Sequence, residues 1–185
     1  VSDFINGIAV AESKGGYGII NQNGDFVLKP SLKMIGDFNE NGIAIYQRAD
    51  SKLFGLIDEM GNFLTEPKFD IIGKFHNGYA KVSRNYLFGL IDLNGKIIVP
   101  LKYEQIGEYY ENLLAVKVRY KDWQYIDITG KVKIKGDFYN AYRFQNGIAK
   151  VFVLKNRTPK EHYIDTKGNF LFKDFAKENN YDKII

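Results

Sequence analysis

Five glycines keep time along this chain. Gly24, Gly61, Gly95, Gly130 and Gly168 are spaced 37, 34, 35 and 38 residues apart. Asn6, Asn41, Asn77, Asn112 and Asn146 keep the same beat, at intervals of 35, 36, 35 and 34. A period of this kind restricts the fold more than any local signal does. One unit cannot bury its own apolar face, so the core must come from stacking neighbouring units. The clearest copy runs from Phe75 to Ile106. It reads F-x-N-G-x-A (Phe75, Asn77, Gly78, Ala80), then an aromatic–Gly pair opening an apolar run (Phe88, Gly89, Ile91, Asp92). An Asn94–Gly95 turn, a run ending in Pro100, and K-Y-x-x-I (Lys102, Tyr103, Ile106) follow.

Each unit reads as strands. Its runs are four to six residues long, rich in Ile, Val, Phe and Tyr, and bounded by Gly, Asn, Asp or Pro. No window keeps helical apolar spacing; the one helix-like stretch, Phe175 to Asn179, is short. The phrase Asp-x-x-Gly recurs at Asp58, Asp92, Asp127 and Asp165, with Asn21 as its first copy. An Asx side chain opening a type I turn, followed by Gly in the left-handed conformation, predicts a three-residue hairpin with a bulge. Pro30, Pro67 and Pro100 are expected where the third strand ends, since Pro cannot donate to a ladder. Pro159 falls in a predicted loop.

The aromatic–Gly pair stands as Tyr17–Gly18, Phe54–Gly55 and Phe88–Gly89, and degrades to Trp123–Gln124 and His162–Tyr163. A ring beside a residue with no side chain lets backbone or another ring approach closely. An aromatic column between stacked units is the expectation. Ala9, Ala44, Ala80, Ala115 and Ala149 read as small residues at tight core contacts.

These phrases together, F-x-x-G-x-A-x-V, then aromatic-G-x-I-D-x-x-G-x-x-x-x-P, then x-Y-D-x-I, resemble the WG (KWG) repeat family over nearly the whole chain. The signature Trp is replaced by Tyr17, Phe54 and Phe88, and Trp123 lacks its Gly. The resemblance implies a bacterial binding scaffold with no catalytic residues to carry over. It also favours an exported or cell-envelope setting over the cytoplasm.

The predicted architecture is all-β: a tandem repeat of five antiparallel hairpin or meander units, forming one repeat domain over 1–185. The units fall at about 1–37, 38–74, 75–109, 110–143 and 144–185. An open curved array is expected. Atypical fourth and fifth units suit the ends of an array, and a period near 35 is short against the ~40–45 of a propeller blade. A closed five-bladed propeller is the alternative.

Chemistry is sparse. There is no Cys, hence no disulfide, thiolate nucleophile or thiolate metal site. The chain has no apolar run long enough for a spanning helix, and it starts at Val1 without a signal peptide, as a processed or shortened form would. His76 and His162 lie in different repeat phrases, and the recurrent Asp is explained by its turn. No cofactor and no metal are expected, and the chain reads as no enzyme. Net charge is +4, unevenly spread: seven acids against three bases over 37–72 give −4, and nine bases against five acids over 141–185 give +4.

The units differ most between their first and second strands. Regular repeats align such connections along one rim, where binding surfaces commonly lie. The candidate site is therefore Arg84, Tyr86, Arg119, Tyr120, Lys121, Lys155, Arg157 and Lys160, with 155–161 as the longest loop. A basic, aromatic-dotted rim suits an acidic protein surface. The reading is a protein-interaction scaffold, one use being to neutralise a secreted toxin or enzyme. The alternative is a surface or envelope module for glycan or anionic polymer. Nucleic acid is not expected as the partner.

Overall fold

The recurrent Asx residue makes the same four hydrogen bonds in every copy. In the computed structural model, which describes residues 1–171, Gly95 N–H donates to Asp92 O and Asp92 N–H to Lys96 O, both at 3.0 Å. Asp92 Oδ1 accepts from Asn94 N–H at 3.0 Å and from Lys96 N–H at 2.9 Å. Asp58, Asp127 and Asp165 repeat this pattern, and Asn21 makes it with an amide oxygen. The five turn glycines have φ between 74° and 85°, the region that L side chains resist. The hairpin with a left-handed Gly is thus the observed turn.

The strands that these turns join are, in chain order, β1 (Ile8–Ser13), β2 (Gly16–Asn21), β3 (Phe26–Ile35), β4 (Ile43–Arg48) and β5 (Phe54–Asp58). Then come β6 (Ile71–His76), β7 (Tyr79–Arg84), β8 (Leu87–Asp92), β9 (Ile97–Tyr110) and β10 (Leu113–Val118). The last are β11 (Trp123–Ile126), β12 (Val132–Ala141), β13 (Ile148–Lys155), β14 (Thr158–Asp165) and β15 (Phe170–Leu171). There is no helix among the described residues. Pairing is antiparallel and follows chain order, from β1 to β5 in one sheet and from β6 to β15 in the other. Neither sheet closes on itself. The chain makes two compact units, Val1–Leu101 and Lys102–Ile185, with the division inside β9. The closing phrase at Tyr181–Asp182, and Phe175 to Asn179, lie outside the described residues.

The third strand corrects the expectation for Pro. It does not end at the proline: β3 continues five residues past Pro30, and β9 continues past Pro100 to Tyr110, so the separate closing phrase merges into one long strand. The ladder instead shifts register there, between Tyr17/Ile19 on β2 and Leu32/Leu28 on β3. A bulge lifts the residue lacking N–H out of the ladder. The bulge is also why the aromatic–Gly pair needs its Gly. A Cβ on Gly18 would strike Leu28 O and stand 2.8 Å from Pro30 N; one on Gly89 would strike Val99 O and stand 3.0 Å from Leu101 N. In the fourth repeat Gln124 replaces this glycine, and the bulge, six residues after the turn Gly130, carries Gly136 in place of proline.

Among the described residues the rings expected to form an aromatic column do not meet one another. Tyr17, Phe54 and Phe88 are half-buried and do not stack on one another. Other rings do the packing: Tyr46 lies 4.8 Å from Phe63, and Tyr125 lies 4.9 Å from Phe144 and 6.2 Å from Phe138. The small residues do sit in the core, with all five repeat alanines at 2% exposure or less.

Within the first compact unit one core gathers Ile19, Leu32, Ile35, Ala44, Tyr46 and Ile57, and a second gathers Leu56, Phe69, Ile72, Val82 and Ile91. The second compact unit packs Trp123, Tyr125, Ile134, Phe138, Phe144, Val151 and Ile164. Each core joins strands of adjacent repeats. Full burial of one such side chain stabilises by about 1.5–3 kcal/mol. Two buried hydroxyls keep partners: Tyr46 OH donates to Thr65 O at 3.0 Å, and Tyr125 OH to Tyr142 O at 2.7 Å.

The F-x-N-G-x-A turns are less uniform than their spelling. Asn77–Gly78 and Asn146–Gly147 are two-residue turns with φ positive at both residues. In the fourth repeat the turn is Glu111–Asn112, and the extra residue is absorbed by a register shift between Leu114 and Val116. In the second repeat it goes into the turn itself, where Asn39 Oδ1 accepts from Asn41 and Ile43 N–H.

Candidate functional site

The connections between first and second strands are tighter than expected. Asn85 and Tyr86 form the whole β7–β8 turn, with φ of 51° and 63° and Arg84 paired opposite Leu87. The stretch 155–161 is not the longest loop. It is a two-residue turn at Asn156–Arg157 (φ 51° and 66°), flanked by an unbroken ladder from Lys155/Thr158 to Ile148/Asp165, in which Val153 faces Lys160. Pro159 accordingly lies in β14, opposite Leu154, and not in a loop. The extra residues lengthen the strands because alternating side chains can continue the ladder, which an open loop would forfeit. The β10–β11 turn spans 119–122, closed by Lys121 N–H on Val118 O at 3.0 Å, with Tyr120 at φ 60°.

Each of these three turns therefore holds a bulky residue where glycine is the undemanding choice: Tyr86, Tyr120 and Arg157. The left-handed conformation costs an L residue roughly 1–2 kcal/mol. Packing does not compensate, because Tyr86 is 92% and Tyr120 88% exposed.

The charges around the turns divide by their partners. Arg84 is half-buried and bonds Asp70 Oδ1 at 2.8 Å, while Asp70 Oδ2 accepts Asn85 N–H at 2.6 Å. Arg84 thus braces its turn. The Arg119 guanidinium lies 5.1 Å from the centroid of the Tyr120 ring. Lys121 and Tyr120 join Glu104, Lys117, Asp122 and Tyr139 around an open hollow of about 300 Å³. Lys155, Arg157 and Lys160 are exposed on their hairpin. So the second compact unit brings Arg119, Tyr120 and Lys121 together at one tip and Lys155, Arg157 and Lys160 at another. The first compact unit carries Arg84 and Tyr86.

Arg48 belongs to the same class and was not singled out from sequence. It bonds Glu66 at 2.6 Å, its guanidinium stands 5.0 Å from the Phe63 ring centroid, and it borders a hollow of about 380 Å³ with Ser31, Ala49 and Asp50. The signal was present: Arg48, Arg84 and Arg119 each stand four residues after a buried repeat alanine, Ala44, Ala80 and Ala115. A further hollow of about 410 Å³ has Phe38, Ile43, Ile45 and Leu56 as its floor and Asp37, Glu40 and Lys74 at its lip.

His76 is exposed, and His162 sits edge-on to Phe170 with centroids 5.3 Å apart. Among the described residues no group of three or more His, Cys, Asp or Glu stands close enough to hold a metal ion, and no helix is long and apolar enough to cross a membrane.

The family model for the WG-containing repeat matches residues 17–50, 54–87, 88–121 and 123–155. The chain belongs to the WG-repeat family. Each matched copy starts at the aromatic of the aromatic–Gly pair or its Trp123 counterpart, so the bulged hairpin described above is the WG repeat itself. None of the curated proteins matches the chain significantly. Solved structures similar to it include Hsv2 of Kluyveromyces lactis, at 11% identity and a TM-score of 0.47 over 89% of this chain and 58% of that one. Hsv2 of Kluyvelomyces marxianus gives 10% and 0.49 over 89% and 57%. BamB from Moraxella catarrhalis gives 10% and 0.43 over 89% and 62%. The WG-repeat chain spans less than two thirds of each of these proteins. A repeat β-fold of this kind suggests a binding or protein-interaction module.

Proposed function

We propose that this chain is a non-catalytic protein-interaction module that holds an acidic partner protein, such as a secreted toxin or enzyme, on the tips of its first-to-second-strand turns. The observation that carries the reading is the pair of exposed tyrosines held in left-handed backbone. A strained aromatic that is almost wholly exposed buries little against the fold, and backbone strain of this kind collects at functional positions. Tyr is also the side chain that supplies the most contact area for the least rotamer entropy. Arg119 and Lys121 beside Tyr120, and Arg157 and Lys160 on the β13–β14 hairpin, set the sign of the partner and steer its approach.

The test is capture of a partner by the native chain, by a Tyr86→Gly/Tyr120→Gly variant, and by one with Arg119, Lys121, Arg157 and Lys160 changed to Glu. Glycine relieves the backbone while removing the ring, so the first variant folds at least as well as the native chain. A protein retained by the native chain and lost by both variants supports the reading. One retained equally by all three removes the turns from the site. Salt-sensitive retention of an anionic polymer, with no protein captured, favours the envelope-polymer alternative.

A further inference from the structure

The residue before the aromatic that opens each F-x-N-G turn alternates in sign from the second repeat to the fifth: Asp37, Lys74, Glu108, Arg143. In the fourth and fifth repeats these charges meet. Arg143 Nη1 stands 2.6 Å from Glu108 Oε2, and the guanidinium lies 4.6 Å from the Tyr110 ring centroid. Glu111, in the turn, accepts Gly147 N–H at 2.9 Å. A cation, a ring and two carboxylates thus join one repeat to the next.

The second and third repeats carry the counterparts: Asp37 for Glu108, Lys74 for Arg143, Glu40 for Glu111 and Asn39 for Tyr110. Here the charges do not meet. Asp37, Glu40 and Lys74 are exposed, and among the described residues none of their side chains enters an ion pair or a hydrogen bond. Asp37 is one methylene shorter than Glu108, and no ring stands in the place of Tyr110. The Asn39 side chain folds back on its own turn, accepting from Asn41 and Ile43 N–H. Between these repeats lies the hollow of about 410 Å³ described above. Its floor is apolar and firmly packed, with Leu56 at 0% exposure and Ile43 at 7%. An apolar floor with a few convergent charges is the make-up of a small-molecule site.

We propose that this hollow binds a free aromatic amino acid as its zwitterion. The ring lies on the floor of Phe38, Ile43, Ile45 and Leu56 and supplies what Tyr110 supplies in the later pair. The ammonium sits between Asp37 and Glu40, in the role that the Arg143 guanidinium plays toward Glu108. The carboxylate meets the Lys74 ammonium. Charge-assisted hydrogen bonds at both ends select the zwitterion over a plain amine or a plain acid. The site uses none of the residues at the turn tips. It can therefore fail while the protein-binding reading stands, and stand while that reading fails.

The probe is L-phenylalanine titrated into the full chain, followed by the NMR shifts of the backbone amides. The expected result is saturable binding, with shifts centred on residues 37–45 and 74–75. Phenylalaninamide lacks the carboxylate and 3-phenylpropionate lacks the ammonium, so each binds about tenfold more weakly, the effect of one charged hydrogen bond. Asp37→Asn/Glu40→Gln weakens phenylalanine binding by about tenfold or more at unchanged melting temperature, because neither side chain has a partner in the fold to lose. Lys74→Gln abolishes the preference for phenylalanine over phenylalaninamide. Asp37→Glu/Lys74→Arg rebuilds the Glu108–Arg143 pair across the hollow and excludes the ligand. No saturable shift, shifts confined to other residues, equal binding of phenylalaninamide by the native chain, or unchanged binding by Asp37→Asn/Glu40→Gln each overturns the proposal.

Discussion

The methyl of Thr65 occupies the place where a Cβ on Gly95 would stand. Gly95 is the turn glycine of the third repeat, and Thr65 is a buried residue of the second whose Oγ1 accepts Leu56 N–H at 3.0 Å. A turn required by local geometry thus doubles as a contact between repeats. Gly24 has the same turn and a similar φ of 84°, but nothing lies within 4 Å of its would-be Cβ.

The two glycines therefore separate backbone strain from packing. Gly24→Ala should cost about 1–2 kcal/mol, the left-handed penalty alone. Gly95→Ala adds a clash with Thr65 and should cost about 1–3 kcal/mol more. Urea unfolding of the two variants measures the difference; equal losses would show that the Thr65 contact is slack.

The turn aspartates make a second pair of predictions. Asn21 performs the same hydrogen bonding as the aspartates, so Asp58→Asn should be near neutral, while Asp58→Ala should cost about 1–2 kcal/mol. Thermal melts of both variants check this.

Acid pH tests the same turns. The Thr129 hydroxyl holds the Asp127 carboxyl below the usual carboxylate range, and Asn169 does so for Asp165. A depressed folded pKa contributes stability that is present above the unfolded value near 4 and lost as pH falls through the folded one. Asp127→Asn should flatten the acid limb of a stability–pH profile; an unchanged limb would exclude Asp127 as a contributor.

The alkaline limb belongs to the buried tyrosines. Burial pushes the hydroxyls of Tyr46, Tyr103 and Tyr125 up, Tyr125 furthest. A raised folded pKa contributes stability that is full below the unfolded value near 10 and lost as pH rises toward the folded one. Tyr125→Phe should lose about 1–3 kcal/mol at neutral pH, because Tyr142 O loses its donor. It should also fall less steeply than the native chain above pH ~10, which denaturant titrations at several pH values resolve.

Tyr86→Gly reverses the usual direction of mutation. At φ 63° and 92% exposure the substitution relieves strain without opening a cavity, so stability should hold or rise by up to about 1 kcal/mol. A lower melting temperature would reveal packing by the ring and weaken its assignment to binding.

Much of the fold is written locally. Asp-x-x-Gly specifies its hairpin because the carboxylate and the left-handed Gly act within five residues, and the alanine beat specifies core positions because period 2 puts them on one face. The beat also marked Arg48, Arg84 and Arg119, although only spacing from the alanines exposes Arg48 as one of the set. What sequence could not carry was everything settled across strands. Pro30 and Pro100 sit inside long strands because Gly18 and Gly89 let the backbone around them approach closely. The stretch 155–161 is ladder because its strands can pair. Arg84 is bound in place because Asp70, 14 residues away, is brought to it. The sequence alone determined the repeat, its Asp-x-x-Gly turns and its buried alanines. The tertiary structure decided which charges and rings are consumed by the fold and which stay exposed, since a side chain's freedom depends on partners that only strand pairing brings near.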